Sequence, residues 1–318
     1  MIIVTGAAGF IGSNIIQGLN QKGCSDIIAV DNLTNGHQYV NLAACQYLDY
    51  LDSDDFLSKI SRNQKFHEPV KAIIHQGACS TTTEWNGRYM MKNNYEYTKQ
   101  LFHYCLDRRI KLIYASSGAV YGGSNKFSEK ELNQKPLNVY GYSKWQFDNY
   151  MLRFLPKSHS QVVGLRYFNV YGPHEQHKGS MASVAFHFMN QLQESNEVRL
   201  FEGSHGYGDG EHQRDFVFVA DVVKVVLWFL DQPHISGIYN VGTGHARPFN
   251  DIAKILIKLN GRGQIRYIPF PEKLKQAYQA FTEADIEVLR QAGYQEAFTT
   301  LEEGLSQYYN WYQKFSFK

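Results

Sequence analysis

The chain opens on a short unbroken apolar run, Met1-Ile2-Ile3-Val4-Thr5, followed after a glycine-rich gap by apolar positions at helical spacing from Phe10 to Leu19. Such a run reads as a buried strand, and the period that follows as an amphipathic helix. The pattern recurs. Strand-like runs fall at Ile27-Ile28-Ala29-Val30, Ala72 to His75, Lys111 to Ala115 and Val162 to Arg166, with helical stretches around Arg88 to Leu106 and Trp145 to Leu155. Alternation of this kind predicts an α/β fold, a doubly wound parallel sheet with right-handed crossovers.

After Gly172-Pro173 the pattern changes. One helical segment, Met181 to Leu192, precedes a loop rich in glycine and histidine, Gly203 to Gln213. Asp215 to Val219 returns to strand, a helix runs from Asp221 to Leu230, and Gly237 to Val241 is another strand. The remainder is helical and mixed, with aromatic residues near its end. This order predicts an interrupted nucleotide-binding domain, residues 1–172 plus about 215–248, and a smaller discontinuous lobe from about 173–214 plus 249–318.

Composition narrows the partners. The 318 residues are 43% hydrophobic with a net charge of +2, enough to bury a large core and too evenly mixed to imply nucleic acid. No apolar stretch is long enough to span a bilayer, and the N-terminal residues are spent on a strand rather than a signal peptide, so the cytoplasm is the expected compartment. Cys24, Cys45, Cys79 and Cys105 lack metal-ligand spacing and read as reduced thiols in or near the core.

Two motifs carry chemistry. Gly6-Ala7-Ala8-Gly9-Phe10-Ile11-Gly12 lies between the first strand and its helix, where glycines allow a tight turn and let a pyrophosphate rest on the helix N-terminal amides. The second strand ends at Asp31, where an acidic residue would meet an adenosine ribose. An ordinary glycine-rich turn is the bland reading. Downstream, Tyr140 and Lys144 stand four residues apart, on one face of a helix. An ammonium near the phenol, with the charge of an oxidised nicotinamide ring, is expected to lower the tyrosine pKa and give a general base. Ser116 and Ser117, at the end of a predicted strand, would emerge at the carboxyl edge of the sheet, where a hydroxyl can hold a reacting alcohol oxygen.

With these residues in view, the chain resembles the extended short-chain dehydrogenase/reductase family, whose fold is the Rossmann type. In that family the catalytic hydroxyl lies three residues before Val-Tyr-Gly, which here is Ser117. Members acting on nucleotide sugars use the nicotinamide as a hydride shuttle. Dehydratases of the family place Asp and Glu after the catalytic hydroxyl; here those places hold Gly118 and Ala119, so the resemblance implies epimerisation.

Within the family, the chain looks like the branch that epimerises ADP-glycero-manno-heptose at C6″ to supply heptose for the lipopolysaccharide core. The likeness rests on Gln76-Gly77-Ala78-Cys79-Ser80, Thr83-Glu84-Trp85, Tyr167 to Pro173, His177 to His187 and Phe201-Glu202-Gly203-Ser204. It implies that Tyr140 and Lys178 are acid/base groups on opposite faces of a ketone. The cofactor would be held by Gly6, Gly9, Phe10, Ile11, Gly12, Asp31, Asn32, Gln38, Ser53, Gln76 to Ser80, Asn93, Lys144, Val170 and Lys178. Asn169, Ser180, His187, Phe201, Glu202, Gly203, Ser204, Arg214 and Tyr278 would line the ADP-heptose site, and the assembly would be a homopentamer.

The sequence departs from that branch in three places. Gln38 and Ser53 stand where lysines are usual, which weakens the preference for a 2′-phosphate; NADP is the expected cofactor, one bound per subunit, with NAD the alternative. The loop from Ser204 to Arg214 is longer than usual and carries His205 and His212, and no metal is expected there because further ligands are lacking nearby. A UDP-sugar 4-epimerase of the same fold, or a non-enzymatic nucleotide sensor, is the alternative reading.

Overall fold

The central sheet of the computed structural model, which describes residues 1–272 and 278–316, has seven strands, all parallel. Their order across the sheet is Gly237–Val241, Val162–Tyr167, Lys111–Ser117, Ala72–His75, Ile2–Thr5, Ile27–Asp31 and Asp49–Asp52. The chain starts in the middle, builds outward on one side, then crosses back to the other. The switch lies between Ile2–Thr5 and Ala72–His75, and a crevice opens beyond the carboxyl ends of such a pair. This is the Rossmann-type α/β fold expected from the alternation.

The strands are apolar runs because helices cover both faces of the sheet. On one face Val4, Ile15 and Leu19 pack with Val222, Val226 and Phe229; on the other Ile3 packs with Phe102, Phe147 and Met151. A further core joins Phe188, Leu192, Val198, Leu200, Ile252, Leu256, Leu305 and Tyr308, from segments far apart in sequence.

Several elements differ from the periodicity. Gln213–Phe218 does not join the main sheet; it pairs with Asn169–Tyr171 and Ala246–Pro248 in a separate three-stranded sheet. Glu197–Phe201 pairs with Gln264–Ile268, inside a stretch read as helical and mixed. The helix expected over Arg88 to Leu106 is three pieces, an α-turn Gly87–Met90, a π-helix Met91–Glu96 and an α-helix Tyr97–Arg108. The helix carrying Tyr140 begins at Val139, well before Trp145, because Asn138 caps it by accepting from the Gly141 amide at 2.8 Å.

Candidate active site

A cleft of about 1310 Å³ lies over the switch point, between the sheet edge and the segments that follow Gly172. Its floor is the glycine turn. Gly6 has φ +66°, and a Cβ built there would sit 2.6 Å from the Gly77 nitrogen; one on Gly12 would sit 2.0 Å from the Gly6 carbonyl oxygen. No side chain therefore fits between these strand ends. Helix Phe10–Gln21 starts at Gly9 with no side-chain cap, so its first amides face the cleft as an anion site.

Asp31 closes the adenosine end, accepting from the amides of Ala8 and Asn32 at 2.8 Å each. Burial raises its pKa against those bonds. Both polar atoms of the Gln76 amide are buried without a hydrogen-bond partner among the described residues, in the wall beside Gly77. A bare cradle, an uncapped helix, an acidic strand end and an orphaned amide fit a dinucleotide. Gly6, Gly9, Phe10, Ile11, Gly12, Asn32, Gln38, Ser53, Gly77, Ala78, Cys79, Ser80, Asn93 and Val170 line this cleft.

The two serines separate cleanly. Alternation along Lys111–Ser117 turns Ser116 inward, where it donates to Asp148 Oδ2 at 2.9 Å, and Ser117 toward the cleft that Tyr140 also lines, where its Oγ accepts from the Ala119 amide at 3.1 Å. Lys144 is buried, and its Nζ donates to the Ala115 carbonyl at 2.8 Å. Desolvation brings its pKa down to about 8, with Asp148 opposing the shift. Tyr140 runs against the sequence-based expectation. Burial raises its pKa, and the group that lowers it is Ser117, not Lys144. Below them Asp148 also accepts from Tyr114 at 2.8 Å and from the buried Arg166 at 2.9 Å, an ion pair that anchors the helix, with Arg166 Nη1 donating to Tyr121 at 3.0 Å.

Sequence reasoning missed Asn94. It sits in the π-helix, accepts from the Cys79 amide at 2.8 Å, and donates to the Cys79 carbonyl at 3.0 Å and to Ser143 Oγ at 3.1 Å. It ties the cofactor wall to the helix of Tyr140 and Lys144. Its neighbour Asn93, the expected ligand, lines the cleft and donates to the Tyr89 carbonyl at 2.8 Å. The π-helix was the available signal only in retrospect, since such bulges favour functional sites but have no plain periodicity.

Lys178 forms the opposite wall, in a 3-10 segment Gln176–Met181 kinked at Gly179. Its Nζ lies 5.2 Å from the centre of the Phe10 ring, and burial lowers its pKa while Glu175 raises it. Glu175 is buried and accepts from the Gly172 amide at 3.2 Å and from Ser183 Oγ at 2.7 Å, which ties this segment to helix Val184–Ser195.

Asn169, Ser180, His187, Phe201, Arg214 and Tyr278 also line the cleft, whereas Glu202, Gly203 and Ser204 do not. Arg214 is buried, packs 4.9 Å from the Tyr278 ring and has no salt bridge to an acidic side chain among the described residues. A desolvated guanidinium so placed suits a diphosphate. The long loop is folded against this site. Gly203 donates to Asp209 at 2.7 Å, and His212 Nε2 lies 2.8 Å from Ser204 Oγ with its ring against Tyr278 at 5.1 Å. Among the described residues no group of three metal-ligating side chains forms.

The fold and the group of Ser117, Tyr140 and Lys144 define a class: enzymes that use a nicotinamide cofactor on an alcohol. Residues 2–242 match the NAD dependent epimerase/dehydratase family, and the chain belongs to it. It is 59% identical over 308 residues to the ADP-L-glycero-D-manno-heptose-6-epimerase of Alkalilimnicola ehrlichii, covering 97% of this chain and 96% of that one. The crystal structure of the Helicobacter pylori ADP-L-glycero-D-manno-heptose-6-epimerase is 32% identical with a TM-score of 0.85, over 98% of this chain and 96% of that one. The UDP-glucose 4-epimerase of Thermotoga maritima, solved with UDP-glucose, is 28% identical with a TM-score of 0.83, over 99% of each chain.

Proposed function

We infer that the chain interconverts ADP-D-glycero-D-manno-heptose and ADP-L-glycero-D-manno-heptose at C6″. The observation that carries this is the 59% identity over nearly the whole of both chains, to a relative of that name. The cleft supports it, with Tyr140 and Lys178 on different walls and a buried Arg214 between substrate-lobe aromatics.

A carbinol C–H is far too weak an acid to be inverted by proton transfer alone, so inversion needs oxidation to a ketone and reduction from the other face. When bound, the nicotinamide supplies reversible hydride acceptance and, oxidised, a positive charge. Tyr140 takes the hydroxyl proton, while Ser117 holds the same oxygen and the phenol. Lys144, held by the Ala115 carbonyl on the same helix face as Tyr140, is placed to hold the cofactor. Once the ketone presents its other face, the Lys178 ammonium gives a proton of its own to the oxygen; Tyr140 then sheds the proton it took, and the Lys178 amine regains one, by exchange with solvent. Arg214 binds the diphosphate through the turn, and Tyr278 stacks on the base. Gly118 and Ala119 offer neither acid nor base for loss of water.

The cofactor assigned is NADP, with NAD the alternative. Asp31 would repel a 2′-phosphate, and neither Gln38 nor Ser53 supplies positive charge, so the preference is weak and Gln38→Lys should strengthen it. Mass spectrometry of the nucleotide released on denaturation identifies it; a strong native NADP preference, indifferent to Gln38→Lys, would show other determinants. The reading extends to a cytoplasmic homopentamer serving lipopolysaccharide core synthesis. It also keeps the division into a cofactor domain, 1–172 plus about 215–248, and a substrate lobe from the rest. No helix among the described residues is long and apolar enough to cross a membrane. Following C6″ inversion of ADP-glycero-manno-heptose by NMR tests the activity. Turnover of UDP-galactose instead would replace it with 4-epimerisation.

A further inference from the structure

The ammonium of Lys178 has no hydrogen-bond partner among the described residues, only the Phe10 ring at 5.2 Å. Its position is therefore set by its backbone segment, and the residues just before it are tied to the cofactor cradle through a buried amide. Asn41, 0% exposed, sits in the short helix Tyr39–Ala43 just beyond Gln38. Its Nδ2 donates to the Ala8 carbonyl at 2.9 Å, inside the glycine turn, and to the His174 carbonyl at 3.2 Å. Its Oδ1 accepts from Gln176 Nε2 at 2.8 Å, and His177 Nδ1 lies 3.3 Å from its nitrogen. Ala8 is the same residue whose amide binds Asp31.

One side chain thus joins three segments: the phosphate turn, the adenosine end and the residues immediately before Lys178. Two outer bonds, Ser13 Oγ with His174 Nδ1 at 2.9 Å and Asn14 Nδ2 to the Pro173 carbonyl at 3.0 Å, fix the base of the same loop to the cofactor helix. They hold the loop as a whole. Asn41 goes further and reaches Gln176 and His177, the two residues that precede Lys178. A buried amide with both ends engaged across three chain segments admits one arrangement of those segments.

We propose that Asn41 is a positioning residue for Lys178, locking the second acid/base group to the cradle that holds the cofactor. The proposal rests on the reading of Lys178 as the group that serves the far face of the ketone. Its signature is a split between half-reactions. Tyr140 stands on another wall, so hydride removal should survive loosening of Lys178 while inversion does not.

The test uses full-length, cofactor-loaded Asn41→Ala, Gln176→Met and Lys178→Met. Three quantities are read: C6″ inversion, the reduced-nicotinamide absorbance on adding ADP-glycero-manno-heptose, and bound cofactor per subunit by mass spectrometry. A displacement of about 1 Å at a reacting group can cost about 10²-fold, so Asn41→Ala should lose inversion by roughly that factor and Gln176→Met by about tenfold. Both should keep their cofactor and the absorbance rise. If inversion and absorbance fall together, or inversion is unchanged while Lys178→Met abolishes it, Asn41 does not position Lys178. Normal inversion by Lys178→Met sinks the reading of Lys178 itself, and the proposal with it. Should Asn41→Ala fail to fold, Gln176→Met, which leaves the Asn41 to Ala8 bond in place, decides alone.

Discussion

Adjacent serines at the end of one strand have opposite fates, and the pleat decides them. Ser116 shares Asp148 with Arg166 and Tyr114, so Ser116→Ala should cost about 1 kcal/mol of stability, the worth of an ordinary hydrogen bond, with turnover near normal. Ser117→Ala should do the reverse, sparing the urea midpoint and slowing inversion. Equal effects of the two on turnover would remove the distinction. Tyr140→Phe keeps the ring and removes the oxygen. Turnover should drop about 10²-fold or more with cofactor still bound, and near-normal inversion would refute the assignment. The Tyr-x-x-x-Lys spacing was legible in the sequence because helical geometry is local. The direction of the Tyr140 shift was not, because the burial that raises it comes from walls contributed by distant segments.

At the scale of elements, the glycine turn makes graded demands that its spacing alone does not reveal. A Cβ on Gly12 would stand 2.0 Å from the Gly6 carbonyl oxygen, whereas one on Gly9 would stand 3.1 Å from it. The first cannot be absorbed without moving the turn; the second asks the carbonyl to give by a few tenths of an ångström. Gly12→Ala should therefore emerge from desalting without nucleotide, while Gly9→Ala keeps a measurable fraction, both read by mass spectrometry of the denatured protein. Equal retention in the two would mean that the turn is looser than the contacts imply. The strand, turn and helix here were readable from three glycines in a strong apolar frame. The π-helix at Met91–Glu96 was not, since one added residue per turn leaves no periodic mark.

Across the whole molecule, the strands that were legible are those buried on both faces, and the ones missed are short, polar or edge-lying. Asp49–Asp52 has no buried position, and Gln264–Ile268 has none either. Their partners lie far away in sequence or at the rim, so no local pattern announces them. The same long-range packing buries His75, His174 and His212, and burial lowers the pKa of each. His75, between Thr5 and Thr98, is held down to about 3 by desolvation and then by Lys144; His174, against Ser13, is held down to about 4 by desolvation and then by His177. Their native pKa values lie below the unfolded value of about 6.5, so between those limits the unfolded chain binds protons that the native chain does not. Stability should accordingly fall as pH drops below about 6.5. His174 has φ +76°, a conformation asparagine tolerates, so His174→Asn removes the titration without forcing the backbone. From a pKa of about 4, the parent should lose about 2 kcal/mol more than this variant between roughly pH 7.5 and 5, measured by urea unfolding at each pH. Identical losses in parent and variant would place the acid sensitivity elsewhere in the fold.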